Sequence, residues 1–315
     1  MTDSPTMSRE PADEDVTLAR YARHVAKSSK VLWVDGTPWT LKDRVLRPLT
    51  MPHKMKPVDR AKLRAALKET GALLAQWTEG WDTAPCDWWY VCCDQPDYDV
   101  GTLRRTVRYA IRKGLQECDV RRVDPNWFAE NGFPVYRAAF RRYGAAPLLT
   151  REGFAEEFRR HAEYPGRETW GAFIQGQLVA WATCILIEDA VAIASSKSDP
   201  AYFKSKPNNA VQYALTRHYL QERRLRYVLS GARVLAHDTN IQEFNEKMGF
   251  RKVYCPLRLE LSSLAAVAAA LHPPAWARRL GLRKLLPIPM ERLDALATVV
   301  QISRSCRSLT PPNAE

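Results

Sequence analysis

Three side chains that could transfer a proton stand near the ends of strand-like segments in the second half of the chain. Asp199 follows the segment 190–196, His237 follows the segment 225–230, and Tyr254 lies in a later apolar stretch. A carboxylate or an imidazole there could act as a general base, and a phenol as a general acid. Each also has an ordinary alternative, because Asp-Pro often opens a turn, single surface histidines are common, and a tyrosine often packs on a sheet. All three are therefore candidates for catalysis.

A second group of residues could bind an anion. Lys204 and Lys206 precede Asn208 and Asn209, one of which we expect to cap a helix that runs to about residue 224. The start of a helix presents unpaired backbone N–H groups and a positive dipole, which suit a phosphate. Two partly exposed lysines would each add about 0.3–1 kcal/mol. The sequence therefore predicts a phosphate site at this helix start.

The overall charge also favours anionic partners. The chain of 315 residues has 47 Lys and Arg against 35 Asp and Glu, which gives a formal net charge of +12. Such an excess suits a nucleic acid, an anionic membrane surface or a phosphate-bearing cofactor. The basic stretch 101–114 is either a solvated helix face or part of an anion-binding surface. Its arginines alone do not decide between these roles.

Several classes of protein are disfavoured by the composition. The seven cysteines include no Cys-x-x-Cys pair and the six histidines are dispersed, so we expect neither a metal nor a disulfide framework. The polar, acidic first residues do not resemble a secretory signal peptide, and no run of 18 apolar residues occurs. The sequence therefore predicts a cytoplasmic protein without a transmembrane segment.

Hydrophobic spacing and turn residues predict alternating strands and helices in the first half of the chain. The expected elements are a strand from Val31 to Trp39 with a turn at Asp35-Gly36, a helix over 58–79, a strand over 87–93, a basic helix over 101–114 closed by Gly114, and a strand over 119–123.

The second half is more regular, and it includes a helix between two strands that predicts a right-handed crossover with parallel strands. The expected elements are a helix over 151–161 capped by Thr150, strands over 169–175 and 177–188 with a hairpin turn at Gln175-Gly176, a strand over 190–196, a helix over 208–224, a strand over 225–230, a short helix over 241–248 and strand material over 250–261 broken at Pro256.

This order of elements resembles the core of GNAT acyltransferases. The segment Asp238-Thr-Asn-Ile-Gln-Glu-Phe-Asn-Glu-Lys-Met-Gly249-Phe250 carries the resemblance, because a short helix with a polar start and a Glu-Lys-x-Gly-Phe ending is typical of the C-terminal part of that core. Gly249 permits the left-handed turn that ends the helix. The resemblance covers residues 150–262 and implies an acyltransferase fold.

The longer chain, the loop through Lys204 and the basic helix before the core also resemble the Fem-type (FemAB-like) branch. That branch places one GNAT-like half before the recognisable one. The expected fold class is therefore α/β with a mixed (α+β) sheet. The expected segments are a polar, disordered 1–30, an N-terminal α/β half over 31–149 that is a degenerate second GNAT-like half, the GNAT-like core over 150–262, and a basic helical extension over 263–315.

The resemblance also implies where an acyl donor binds. Backbone N–H groups of the third core strand would bind the donor's carbonyl. The remainder of the donor would lie against the start of the following helix and against the signature segment. The implied donor-binding residues are Ile193, Ala194, Ser195, Lys204, Lys206, Asn208, Asn209, Asn240 and Asn245.

The sequence departs from the GNAT pattern in two places. GNAT enzymes usually have a glycine-containing phosphate loop, whereas the segment 204–210 is Lys-Ser-Lys-Pro-Asn-Asn-Ala. Many also have a tyrosine general acid where Asn245 stands, and an amide cannot transfer a proton.

Three functions are therefore weighed. The first is N-acyl transfer from acyl-CoA, with acetyl-CoA as the expected co-substrate, to an amine of a small molecule, sugar, amino acid or peptide. The second is Fem-type aminoacyl transfer from aminoacyl-tRNA, which suits the charge and the glycine-free loop. The third is a non-catalytic binding protein on a GNAT-like fold. The oligomeric state is left open.

Overall fold

The computed structural model describes residues 16–142, 148–235, 241–270 and 290–307, which form two compact units. The core unit comprises residues 16–24, 91–142, 148–231 and 241–251. The second unit comprises residues 25–90, 232–235, 252–270 and 290–307. The chain thus enters each unit more than once, and the boundaries of the four consecutive segments stay a prediction.

The strands are numbered in chain order as β1 (Lys30–Val34), β2 (Thr37–Lys42), β3 (Val45–Pro48), β4 (Leu74–Thr78), β5 (Trp89–Cys93), β6 (Asp119–Val123), β7 (Arg167–Ile174), β8 (Gln177–Ile187), β9 (Ala190–Ser198), β10 (Tyr227–Ala232), β11 (Arg251–Tyr254) and β12 (Leu257–Leu261). They form a five-stranded sheet with the order β1-β2-β3-β4-β12 and a seven-stranded sheet with the order β11-β5-β10-β9-β8-β7-β6. Both sheets contain parallel and antiparallel pairs, which confirms the expected mixed α/β class.

The α-helices are α1 (Leu18–Ala26), α2 (Arg60–Thr70), α3 (Arg105–Glu117), α4 (Pro125–Asn131), α5 (Phe133–Arg142), α6 (Arg151–His161), α7 (Pro207–Arg217), α8 (Ile241–Lys247), α9 (Ser263–Ala270) and α10 (Met290–Arg307). The last two confirm helical structure in the C-terminal extension. The middle of this basic extension, residues 271–289, lies outside the described residues.

In the second unit, β1 and β2 form a hairpin at Asp35-Gly36, as the sequence predicted. Both turn residues have positive φ, 52° and 75°, which matches the twist of a two-residue hairpin. Helix α2 is capped by Asp59, whose carboxylate accepts hydrogen bonds from the N–H groups of Ala61 and Lys62. Its apolar face packs on a buried cluster that includes Trp39 and Trp77.

The expected helix over 58–79 is wrong in its second half. Gly71 adopts φ 66° and ends α2 by a left-handed turn, with its N–H bonded to the carbonyl of Leu67. Residues after it then form β4, which pairs with β3 and β12. The apolar residues Leu74 and Trp77 fit a helical spacing and a strand equally well in so short a run, and pairing with two strands decides the outcome.

In the core unit, β6, β7, β8 and β9 form antiparallel pairs, and β9 pairs with β10 in parallel. Helix α7 connects β9 to β10, which confirms the expected crossover between parallel strands, and its right-handedness stays a prediction. On one face, Trp181 of β8 contacts Phe128 of α4 and Phe158 of α6. On the other face, Trp170 of β7 donates a hydrogen bond to the hydroxyl of Tyr219, which follows α7. Helices therefore cover both faces of these strands.

Gly114 lies inside α3 and does not end it. Helix α3 begins at Arg105 and continues to Glu117, with Cys118 in an extended conformation at its end. A methyl group on Gly114 would lie 2.7 Å from the carbonyl oxygen of Lys206 and 3.0 Å from the Cβ of Ala210. The glycine is thus needed because the start of α7 approaches α3 closely, and not because a helix ends there.

Candidate functional site

The parallel pairing of β9 and β10 is short. Ala190, Val191 and Ala192 pair with Tyr227, Val228 and Leu229, and within the described chain the register contains only these pairs. Strand β9 nevertheless continues to Ser198. The stretch 193–198 therefore extends beyond its parallel neighbour, at the C-terminal end of the strands where ligands bind in sheets of this kind.

A β-bulge lies in this stretch. Thr183 of β8 pairs with Ser195, whereas its neighbour Cys184 pairs with Ile193, so Ala194 is an extra residue without an opposite partner. A bulge disturbs the hydrogen-bond ladder and can turn a backbone amide out of it. The residues expected to bind an acyl carbonyl, Ile193, Ala194 and Ser195, are those that form the bulge. An N–H group turned out of the ladder could stabilise a developing oxyanion.

Lys197 stands two residues after Ser195 on the same face of β9. It pairs with Trp181, whose ring belongs to the aromatic cluster beneath α4 and α6. The ammonium group donates hydrogen bonds to the hydroxyl of Ser195, at 3.3 Å, and to the carbonyl of Ser196, at 3.2 Å. It also lies 5.9 Å from the centre of the Phe140 ring. Lys197 is thus held against an apolar face close to the bulge.

Burial lowers the pKa of Lys197 below its usual value, because desolvation disfavours the charged ammonium. A larger share of this lysine is therefore neutral near physiological pH than of an exposed one. A neutral amine beside a strand end can take a proton, so Lys197 has the chemistry of a general base. Sequence reasoning did not single out this residue, although its spacing of two from Ser195 places both side chains on one face of the strand.

Asp199 caps a short 3-10 helix over Pro200–Ser205. Its carboxylate accepts a hydrogen bond from the N–H of Ala201 at 3.0 Å. This is the turn-opening role that the Asp-Pro pair allowed, and the segment expected to be an irregular loop is largely this helical turn. The carboxylate is half-buried at the end of β9, so its proposed role as a base stays a prediction.

The start of α7 differs from the expectation that Asn208 or Asn209 caps it. The helix begins at Pro207, and Lys206 occupies the cap position with φ 55° and no side-chain hydrogen bond. Helix α7 begins at Pro207 because the tight turn after the 3-10 helix ends there and because the fixed φ of proline suits a first helical residue. Lys204 is exposed and Lys206 is half-buried.

Few backbone N–H groups are open to a phosphate at this helix start. Pro207 has no N–H, and those of Asn209 and Ala210 already donate to the carbonyl of Lys206, at 3.1 and 3.2 Å. Asn208 keeps the remaining N–H of this first turn. GNAT phosphate loops use several N–H groups together, so the residues present fit a coenzyme A pyrophosphate poorly.

An acidic side chain lies next to the same turn. Glu117, at the end of α3, bonds to the Ser205 side chain, and this bond together with Lys113 lowers the pKa of the Glu117 carboxyl below its usual value. The carboxylate is therefore charged at neutral pH and opposes the attraction that Lys204 and Lys206 would exert on an anion.

Asn245 and Asn209 connect the signature helix α8 to its neighbours. The amide nitrogen of Asn245, which is 1% exposed, donates to the hydroxyl of Ser230 near the end of β10 at 2.8 Å. That of Asn209 donates to the sulfur of Met248 at 3.5 Å. Gly249 has φ 88°, which confirms its expected place after the helix. These contacts give both asparagines a structural role, and their proposed role in donor binding stays a prediction.

The other expected residues are distributed as follows. His237 and Asn240 lie outside the described residues. Tyr254 belongs to the second unit, where its ring contacts Trp89 edge to face with the centroids 6.1 Å apart. Within the described ranges, no three His, Cys, Asp or Glu side chains are grouped as metal ligands, and no helix has the length and apolar character to cross a bilayer.

Comparisons with known proteins identify the fold. No family model and no curated protein sequence matches the chain. Among solved structures, FemX matches at 10% identity and a TM-score of 0.55, covering 81% of this chain and 94% of its own. The L-PGS of Bacillus licheniformis matches at 13% identity and a TM-score of 0.53, covering 80% of this chain and 93% of its own.

A third solved structure also matches most of the chain at low sequence identity. It is the C-terminal domain (DUF2156) of a protein assigned as a lysylphosphatidylglycerol synthetase from Agrobacterium fabrum, at 12% identity and a TM-score of 0.54, covering 84% of this chain and 91% of that one. At such identities the likeness establishes the fold alone. The described structure therefore has a GNAT-like fold of the Fem type.

Proposed function

We propose that this chain is an N-acyltransferase that joins an acyl group to an amine at the C-terminal end of β9. The observation that carries the proposal is the combination of the bulge at Ala194 with Lys197, a half-buried lysine of lowered pKa on the same stretch of strand. A carbonyl-binding amide and a base are two of the groups that amine acylation requires.

The proposed reaction conserves every atom of donor and acceptor. The amine nitrogen attacks the donor carbonyl and forms the C–N bond, while a backbone N–H of the bulge stabilises the oxyanion. Neutral Lys197 accepts the proton that the amine loses. The C–O or C–S bond to the leaving group then breaks, and Lys197 returns the proton to the departing oxygen or sulfur.

We favour aminoacyl-tRNA over acyl-CoA as the donor. The helix start that would hold a coenzyme A pyrophosphate has few N–H groups to offer and an acidic neighbour in Glu117. Helix α3 carries exposed Arg105, Tyr109 and Arg112 on one face, and the chain has a net charge of +12. The likeness to FemX supports the same choice, since the Fem-type branch uses aminoacyl-tRNA. A cytoplasmic location, which the sequence predicts, would give access to this donor.

The donor is tested by direct comparison of the two classes of ligand. We expect charged tRNA to bind with an affinity that falls steeply as salt rises. We expect acetyl-CoA, longer acyl-CoAs and free CoA to leave the melting temperature unchanged, whereas a ligand at 100 times its Kd would stabilise the protein by about 2.7 kcal/mol. Stabilisation by an acyl-CoA together with no tRNA binding would reverse the choice of donor.

Transfer itself is tested by loss of the labelled acyl group from the donor when an amine is supplied. Suitable acceptors are glycinamide, lysine and glucosamine, which represent the peptide, amino-acid and sugar classes. Donor consumption that depends on both protein and amine is the expected result. If neither donor binds and no acceptor is modified, the non-catalytic alternative replaces this proposal.

A further inference from the structure

Three cysteines from distant parts of the chain meet in the second unit. Cys86 precedes β5, Cys255 lies between β11 and β12, and Cys306 lies in the last turn of α10. The thiol of Cys86 and the backbone N–H of Cys255 donate hydrogen bonds to the same carbonyl, that of Trp88, at 3.1 and 3.3 Å. The Cys306 side chain interacts with both of the other thiols. The three thiols therefore form one group.

The side chains of Cys86 and Cys306 are in direct contact. Cys306 belongs to a buried apolar cluster, against which Cys86 packs, and a hydrogen bond joins the two thiols. The residues beside them are also joined, since the hydroxyl of Ser305 donates a hydrogen bond to the carboxylate of Asp87 at 2.6 Å. The end of α10 is thus held against the segment before β5 by two neighbouring pairs of side chains.

The two thiols differ in exposure, which sets the order in which they can react. Cys306 is fully buried, whereas Cys86 is half-buried. An oxidant therefore reaches Cys86 first. Burial raises the pKa of the Cys86 thiol, so little thiolate is present at neutral pH and we expect its reaction to be slow there.

Cys255 is a less suitable partner for Cys86 than Cys306 is. Cys255 is fully buried, and burial raises the pKa of its thiol to about 12. A thiol that stays protonated does not attack a disulfide. Metal binding is not indicated either, because the described residues include no three His, Cys, Asp or Glu side chains grouped as metal ligands. Disulfide formation between Cys86 and Cys306 is therefore the chemistry that fits this group of thiols.

We propose that Cys86 and Cys306 form a reversible disulfide that fastens α10 to the segment before β5. The oxidant is a small disulfide such as oxidised glutathione. The Cys86 thiolate attacks one of its sulfurs, and the first glutathione leaves and takes the proton that Cys86 lost. Cys306 then attacks the Cys86 sulfur, and the second glutathione leaves with the proton of Cys306. Two cysteines are thus oxidised while one small disulfide is reduced to two thiols.

This pairing is independent of the acyl-transfer reaction, so its test needs no acyl donor and no amine. It also differs from a structural disulfide framework, because a reducing compartment keeps the two thiols reduced and an oxidising one joins them. The bond would close a long loop of chain between β5 and the end of α10, so we expect the oxidised protein to be more stable than the reduced protein.

Peptide mapping of the full-length protein tests the pairing without any substitution. The protein is equilibrated at mildly alkaline pH with mixtures of oxidised and reduced glutathione, its free thiols are blocked, and its unreduced peptides are identified by mass spectrometry. We expect a link between Cys86 and Cys306 that disappears after treatment with dithiothreitol, with fragmentation distinguishing Cys86 from the nearby Cys92 and Cys93. A link from Cys86 to Cys255, or no link between Cys86 and Cys306 at any ratio, would overturn the proposal.

Thermal unfolding tests whether the bond fastens the helix. Oxidation should raise the melting temperature of the parent protein by roughly 2–8 °C, and dithiothreitol should reverse the rise. Cys86→Ser should abolish this difference between oxidised and reduced protein. Cys184→Ala, which removes a buried free thiol from the core unit, should retain it and is the matched control. An unchanged melting temperature in the oxidised parent protein, or an equal rise in Cys86→Ser, would contradict the proposed role of the bond.

Discussion

At the scale of single residues, the protonation of Lys197 is the feature on which the proposed chemistry depends. Its ammonium is desolvated against the aromatic cluster and donates hydrogen bonds to the uncharged oxygens of Ser195 and Ser196. A lowered pKa follows from burial, and it makes the lysine a better base at neutral pH than an exposed one.

Substitution of Lys197 tests that role. Lys197→Gln should lower kcat/KM by about 10²-fold or more, since general bases contribute on this scale. Lys197→Arg keeps the charge but cannot deprotonate, so it should be equally impaired if the lysine is a base. In the unsubstituted protein kcat/KM should rise with pH and level off below the usual lysine pKa, because the neutral form is active. An active Lys197→Arg variant would show that charge alone matters. Lys68→Gln, at an exposed position of the second unit, is the matched control.

Gly114 gives a stability prediction with an internal control. Gly114→Ala should destabilise the protein by about 1–3 kcal/mol, because the new methyl group meets the backbone of α7. Gly153→Ala, within α6, adds a methyl group at ordinary contact distance, 3.4 Å from the Thr150 hydroxyl. It should be neutral or stabilise by about 0.5–1 kcal/mol. Urea unfolding of both variants measures the difference, and equal effects would refute the close approach.

His161 predicts a dependence of stability on pH. Burial, followed by the charge of Arg167, lowers the pKa of His161 to about 3 in the folded protein, against an ordinary value of 6.5. Between these values the unfolded chain binds a proton that the folded chain does not, so the free energy of unfolding falls as the pH falls. The slope from this residue is at most ~1.4 kcal/mol per pH unit, and less where solvent screens it.

His161→Gln removes that proton uptake. The free energy of unfolding of the variant should therefore decline less steeply than that of the parent protein from pH 6.5 towards pH 4. Urea titrations at several pH values compare the two slopes. Parallel slopes would show that His161 does not have the lowered pKa.

At the scale of elements, α3 combines a packing face with an exposed basic face. Val107, Ile111 and Gly114 are buried on one side, while Arg105 and Arg112 are exposed on the other. The sequence predicted the amphipathic pattern correctly and left open whether the basic face binds an anion. The packing of α3 does not answer that question, because the basic residues lie on the face that is exposed to solvent.

Salt dependence can decide the role of that basic face. If Arg105 and Arg112 each neutralise one phosphate of a tRNA, the double variant Arg105→Gln/Arg112→Gln should reduce the slope of log K against log salt by ~1.4–1.8. Lys42→Gln/Lys68→Gln removes the same charge from exposed positions of the second unit and should leave the slope unchanged. Equal effects of the two double variants would indicate only a general influence of net charge.

At the scale of the whole molecule, the segment 150–262 that resembles the GNAT core does not contain all of the residues against which it packs. The aromatic cluster beneath the sheet combines Phe154, Phe158 and Trp181 with Val123 and Phe128, which precede residue 150. Strand β6 also forms an edge of the sheet beside β7. A fragment that begins at residue 150 lacks these partners.

We therefore expect a fragment of residues 150–262 to be unfolded or loosely packed, with poor NMR dispersion and no cooperative thermal transition. A fragment of residues 91–251 retains the cluster, α3 and β6 and should unfold cooperatively. A cooperative transition in the shorter fragment would contradict the expectation and would support the segment boundary at residue 150.

The sequence by itself determined the order of elements from Thr150 to Leu261, the turns at Asp35-Gly36 and Gln175-Gly176, and the resemblance to the GNAT core. These features depend on local periodicity, capping and positive φ, which neighbouring residues encode. Only the tertiary structure decided the strand that follows Gly71, the packing role of Gly114 and the environment of Lys197. Each of these depends on a strand or helix that is distant in sequence, and desolvation, close approach and strand pairing act only once that partner is in place.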